Sequence, residues 1–256
     1  MTAAPRRDCL GATSAVRVPR VRKTGEMRAG RSSGFGSGRI AACAAALLML
    51  LVAVPPAADA SRERESTLPR RELLEQALAA YQALDRAGRV TNPVLTVIDY
   101  ALPSSQKRLW VIDPTTRHVL FHEFVAHGRG SADESDPDRL VRFGNEPSSL
   151  RSSRGVFLTA GTYQGKHGHS LELIGLERGV NDRALERRIV MHPADYASAS
   201  YRAASGGRLG RSWGCPALDP AVSREVIDRI QGGSVLFADG TMLPQRYAAL
   251  DLAQRR

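Results

Sequence analysis

The sequence predicts a mainly β domain, a sandwich or partly closed barrel with one or two accessory helices. Three observations carry this. Short β-branched runs recur with turn-forming residues between them. Helical periodicity appears in only two stretches. No internal repeat breaks the pattern into smaller units.

The chain divides into four parts. Residues 1–60 read as a secretory leader, 61–92 as a linker and an amphipathic helix, 93–240 as the main domain, and 241–256 as a tail. The leader is basic through residue 39 and wholly apolar from Ile40 to Val54, and it reaches Ala58-Asp59-Ala60 with cleavage expected near Ala60. Its apolar run of 15 residues falls short of the ~20 a helix needs to cross a bilayer. Retention as an anchor is the alternative, and Met27 is an alternative start. The mature form is expected to lack a stable membrane span and to reside in the periplasm or cell envelope.

From residue 70 the first element is a helix. Leu73, Leu74, Ala77, Leu78, Tyr81 and Leu84 fall on one face, and Gly88 stops it. Strands follow at 94–100, 108–112 and 118–125, the last two joined by Asp113-Pro114-Thr115-Thr116-Arg117. His118 and His122 share a face that alternation leaves to solvent, with His127 just beyond. Residues 128–154 are polar and rich in Gly, Ser and Asp, a long loop of the kind that usually carries function. Strands resume at 155–160, 170–174 and 188–192. A helix at 221–231 ends at Gly232-Gly233, and a last strand covers 234–238.

Charge and cysteine usage narrow the function. The full chain carries 36 basic and 26 acidic residues, but nine of the former and three of the latter lie in the first sixty positions. The remainder is only mildly basic, which gives nucleic-acid binding little support. Of three cysteines, Cys9 and Cys43 fall in the leader. Cys215 is then the one mature thiol, with no partner in the chain for a disulfide, so it is either inert or used for chemistry.

The chemistry centres on Gly206-Gly207-Arg208-Leu209-Gly210-Arg211-Ser212-Trp213-Gly214-Cys215-Pro216. A thiol following a glycine in a glycine-rich loop is poorly placed for core packing and well placed to approach a ligand. A helix beginning near Asp219-Pro220 would bring its positive end toward the thiol and favour thiolate. His192 is the candidate base, ending a strand 23 residues before the cysteine. Asp195 or a backbone carbonyl would orient its ring. His167 and His169, with His192 and Cys215, are an alternative zinc set, although the usual metal-binding spacings are missing.

From about residue 95 to 240 the chain resembles the murein L,D-transpeptidases. His192 matches that family's upstream histidine, and Ser212, Gly214 and Cys215 match its terminal motif. Trp213 stands where most members have a second histidine, as in a subgroup with Ser-Trp-Gly-Cys-Pro, and the gap from His192 is longer than usual. The resemblance implies an L,D-transpeptidase-like β-sandwich or partly closed barrel. Cys215 is implied as nucleophile and His192 as general base. The Pro193 carbonyl would orient the ring, and N–H groups around Gly214 and Cys215 would form an oxyanion hole. Ser212 is either a loop hydroxyl or a support for catalysis. Trp213, Arg211 and Arg208 are candidates for contacting peptidoglycan stem peptides, though the arginines also read as ordinary loop residues. The implied reaction makes 3–3 cross-links through a thioester, with no metal or organic cofactor. A cysteine carboxypeptidase or peptidase and a non-catalytic wall-binding module are the alternatives.

Overall fold

The computed structural model describes residues 68–240. The leader, most of the linker and the tail lie outside these residues. Helix α1 spans Arg71–Arg86. Strands β1 (Leu95–Asp99), β2 (Leu109–Ile112) and β3 (Val119–Glu123) follow, then β4 (Gly155–Gly165), β5 (Gly168–Gly175) and β6 (Val190–Pro193). Helix α2 (Ala199–Ala204), strand β7 (Ala217–Leu218), helix α3 (Pro220–Ile230) and strand β8 (Val235–Asp239) complete the order.

All eight strands form one sheet in the order β3-β2-β1-β8-β4-β5-β6-β7. The last strand therefore lies in the middle, parallel to β1 and antiparallel to β4. The two ends of the sheet nearly meet. Ala126, just past β3, bridges Ala217 of β7, and Gly128 bridges Ser212. The Ala126 amide donates to the Ala217 carbonyl at 2.9 Å. A partly closed barrel is the result, with its seam at the segment before β7.

Both faces of the central strands are covered, so β1 and β8 are buried at every position and read as continuous apolar runs. Leu95 and Val97 turn toward α1, where Leu73, Leu74, Ala77, Tyr81 and Leu84 meet them together with Phe237. Ile98 turns the other way, into the cluster of Phe157, Leu171, Leu173, Met191, Val226, Ile227 and Ile230. α1 is thus packed on the sheet. Truncating a buried leucine such as Leu84 in a core of this kind costs about 2–5 kcal/mol. α3 starts where sequence signals put it: Asp219 accepts the Ala221 amide at 3.0 Å, and Pro220 occupies the first turn.

Three features depart from the sequence reading. β4 runs to Gly165, and its outer half is mostly exposed. It forms with β5 a hairpin that projects past the sheet and turns at Lys166-His167, between the paired Gly165 and Gly168. Exposed, polar Gly161–Gly165 has no apolar alternation, which is why the sequence reads as loop there. Short α2 and two-residue β7 are also additional. Finally, His122 is not simply solvated: its ring stacks on Trp110 at 4.6 Å.

Candidate active site

Cys215 lies at the barrel seam, on the loop entering β7. It is partly exposed, and its Sγ faces the start of β6: the Val190 amide points at it from 3.5 Å, and the Arg188 carbonyl lies 3.6 Å away. Ser212 holds the loop in shape. Its hydroxyl donates to the Cys215 carbonyl at 2.6 Å and accepts the Gly214 amide at 3.1 Å. The Gly214 N–H is therefore occupied by Ser212 and not turned to a ligand, contrary to the expected pair of oxyanion donors. The Cys215 N–H has no partner among the described residues.

Gly214 is required twice over. Its φ is +122°, a conformation that side chains rarely adopt. A Cβ there would also lie 2.7 Å from the Arg151 carbonyl oxygen and 3.0 Å from Ile189 Cδ1. Gly128, on the opposite strand of the seam, packs its backbone on this glycine. A Cβ at Gly128 would come within 2.8 Å of Gly214 Cα and 2.3 Å of the Leu150 carbonyl oxygen.

His192 is the third residue of β6 and is 3% exposed. It pairs with Ala217 across the β6–β7 ladder, which ties the strand of the histidine to the strand following the cysteine. Its Nδ1 lies 2.8 Å from the Pro193 carbonyl oxygen. A carbonyl only accepts, so Nδ1 carries the hydrogen and Nε2 keeps its lone pair. Asp195 does not orient the ring. It sits on the turn Asp195–Ala197, where its own carbonyl accepts from Ser198.

Beneath the loop lies a buried pair that sequence reasoning missed. Arg108 is fully buried. It donates from Nε and Nη2 to the Val125 carbonyl at 3.0 and 2.8 Å, and Nη2 is 2.8 Å from His127 Nδ1. His127, also fully buried, therefore accepts at Nδ1. Its carbonyl takes the Ser212 amide at 3.0 Å, and the Arg129 amide returns a bond to the Ser212 carbonyl at 2.8 Å. Arg108 thus anchors the segment on which the Cys215 loop hangs. Burial and the neighbouring Arg108 charge push His127 down to about 2, so it stays neutral.

Electrostatics revise one expectation. Burial pushes the Cys215 thiol above its ordinary range, opposed by the Val190 amide and by the charges of Arg187 and Lys166. The helix N-terminus does not reverse this, because β7 intervenes and Asp219 already caps α3. Burial holds His192 below the usual histidine value, the Pro193 bond opposes it, and His167 reinforces it. Both shifts favour the uncharged forms, thiol for Cys215 and imidazole for His192. Arg187 reaches the site through the loop: Nη2 donates to the Arg151 carbonyl at 2.5 Å and Nη1 to Ser153 at 2.6 Å.

The remaining predicted residues divide. Trp213 is 70% exposed and, with Arg211, Arg129, Asp133 and Glu134, lines an open groove of about 480 Å³ beside the loop. Lys166 lies over its ring at 6.0 Å. Arg211 is partly committed to its own loop, donating to the Leu209 and Gly210 carbonyls. Arg208 is exposed and does not line that groove. The histidines of the alternative zinc set are held apart in function: His169 bonds Asp228 at 2.7 Å, and His167 stacks on His192. Among the described residues, no group of three or more His, Cys, Asp or Glu is gathered to hold a metal. No described helix is long and apolar enough to cross a membrane.

The sequence profile described as the L,D-transpeptidase catalytic domain matches residues 65–238. No curated protein sequence matches the chain. Among solved structures, an L,D-transpeptidase from Mycobacterium smegmatis is similar at 15% identity, with a TM-score of 0.35, over 58% of this chain and 59% of that one. An L,D-transpeptidase from Xylanimonas cellulosilytica is similar at 16% identity and TM-score 0.35, over 62% and 68%. The helical cell shape determining protein Pgp2 from Campylobacter jejuni is similar at 11% identity and TM-score 0.41, over 69% and 58%. The chain thus spans 59% of the first of these relatives.

Proposed function

The chain belongs to the L,D-transpeptidase catalytic domain family, and on that premise we propose that it forms 3–3 cross-links between peptidoglycan stem peptides through a Cys215 thioester. One observation carries the reading. His192 is fixed by its Nδ1 bond to Pro193, leaving Nε2 as proton acceptor on the strand whose Val190 amide points at Cys215 Sγ.

The first half-reaction begins with a neutral thiol. His192 Nε2 takes the proton as Sγ bonds the carbonyl carbon between the diamino acid and the terminal D-alanine of a tetrapeptide stem. The Val190 amide, Arg187 and Lys166 favour negative charge on sulfur as the proton leaves. The Cys215 N–H supports the oxyanion, a donor type worth about 10²–10³ in rate. The bond to D-alanine breaks, and its nitrogen receives the proton from His192. In the second half-reaction an acceptor amine loses a proton to Nε2 and attacks the thioester. The C–S bond breaks and the thiol is restored. General base catalysis of this kind contributes about 10²–10⁴.

The groove lined by Trp213, Arg211, Arg129, Asp133 and Glu134 receives a stem, its arginines suited to a carboxylate and its acids to an amine. Ser212 serves as the brace of the loop. The reading places the enzyme in the cell envelope, in keeping with the leader expected over residues 1–60.

The test is intact mass after exposure to a carbapenem. A single adduct in the wild-type protein, lost in Cys215→Ala, supports the thioester chemistry. Its absence from the wild type sinks the reading. Incubation with tetrapeptide muropeptides then identifies the acceptor: cross-linked dimers mean transpeptidation, and tripeptides alone mean hydrolysis.

A further inference from the structure

His192 is buried, yet the group that covers one of its faces is an exposed residue of a different element. The β4–β5 hairpin turns at Lys166-His167, and the His167 ring lies on the His192 ring with centroids 4.6 Å apart at 30°. The hairpin is fixed where this requires it. Next to the turn, His169 Nε2 meets Asp228 Oδ1 of α3 at 2.7 Å, and the Ser170 hydroxyl donates to the Gly168 carbonyl at 3.1 Å. At Gly168, an added Cβ would touch Pro193 Cγ at 3.3 Å. The turn is thus seated against the His192-Pro193 corner and does not hang free.

We propose that His167 is a positioning residue for His192: its stacked imidazole fixes the plane of the base and adds like-charge resistance to that of burial. The proposal rests on the reading of His192 as general base. Stacking fixes the tilt of the ring about the one bond it makes to Pro193, so Nε2 keeps its aim. Two imidazoles this close resist carrying a charge together. Other groups near the ring do not replace this effect. Lys166 shares the turn but lies over Trp213, Cys215 on the nucleophile loop favours the uncharged thiol, and Asp228 of α3, which packs against β6, is engaged by His169.

The test uses the full chain as wild type, His167→Ala and His167→Phe. The His192 imidazole is titrated by NMR, its signal assigned by loss in His192→Gln, and carbapenem acylation is followed against pH. Two unit charges 4.6 Å apart interact, even at the dielectric of water, by enough to move a titration about 0.5 unit or more. His167→Ala is expected to raise the His192 midpoint by that amount and to carry the acid limb of acylation with it. It should also slow acylation about 3–10-fold on the alkaline plateau, where only the stack is lost. His167→Phe should restore the plateau but not the midpoint. An unchanged His192 midpoint in His167→Ala overturns the proposal, as does a rate loss that is equal at all pH and not rescued by Phe. If the wild type is not acylated at all, the general-base reading fails, while the NMR titration still decides whether His167 controls the ring.

Discussion

Replacing Gly214 by alanine tests the architecture of the Cys215 loop with one methyl group. Two penalties combine. Holding a non-glycine residue at φ +122° costs roughly 1–3 kcal/mol. The methyl carbon would also meet the Arg151 carbonyl oxygen at 2.7 Å, several tenths of an ångström inside normal contact. That oxygen does not yield freely, because Arg187 Nη2 holds it at 2.5 Å. Gly128 blocks retreat in the other direction. The displacement must therefore pass along the loop into Cys215. Together the strain and the clash amount to about 2–4 kcal/mol, a fall of ~5–15 °C in melting temperature for a domain of this size. On the proposed chemistry, a Cys215 displaced by up to ~1 Å loses about 10²-fold in acylation rate. Carbapenem acylation followed by intact mass, beside a thermal melt, reads both effects. Gly88→Ala is the control, since Gly88 also has positive φ (+65°) but meets nothing within 4 Å; it should leave acylation intact. Wild-type acylation in Gly214→Ala, with a melting temperature within ~2 °C, would refute the reasoning.

Two further outcomes are expected. Alkylation of Cys215 by iodoacetamide in the free protein should keep accelerating through and above the ordinary thiol range near 8.5, because burial raises this thiol; a plateau already at neutral pH would mean a thiolate–imidazolium pair instead. Stability should fall as pH drops below about 6.5, because His127 has its folded value depressed to about 2. A depressed group contributes fully above its unfolded value and loses that contribution as pH falls toward the folded one. His127→Asn retains an acceptor for Arg108 without a proton to gain, so its melting temperature should vary less between about pH 6.5 and 4.5 than that of the wild type; parallel curves would remove His127 as the cause.

Much of the fold was legible because the central strands are buried on both faces. Leu95–Asp99 and Val235–Asp239 need apolar residues at nearly every position, and such runs stand out in a sequence. Cys215 after its glycine and His192 in β6 drew attention for a similar reason: rare residue types in a context that an apolar pattern does not explain. What escaped notice depends on contacts between distant segments. His127 follows a strand and reads as a surface histidine, and nothing nearby marks Arg108, nineteen positions earlier, as its buried partner. Gly128 is one glycine in a glycine-rich loop, and its close approach to Gly214 is set by the seam. His167 sits in a polar turn whose outer strands lack alternation because they project beyond the core. The expected thiolate failed because proximity in sequence to a helix start is not proximity to its free amides; Asp219 had already taken that end.

The place of β8 in the sheet has a consequence for how activity arises. Until residues 235–239 arrive, β1–β3 and β4–β7 lack the strand that is hydrogen-bonded to both. The pieces that carry Cys215 and His192 belong to one of these halves, and the segment that braces the Cys215 loop, around His127, extends from the other. A chain synthesised from its N-terminus thus carries Cys215 and His192 before the strand that joins the halves. Long-range closure of this type is slow compared with local hairpin formation. On the proposed chemistry, the two halves that carry Cys215 with His192 and the His127 brace are joined through the sheet only when this last strand is in place.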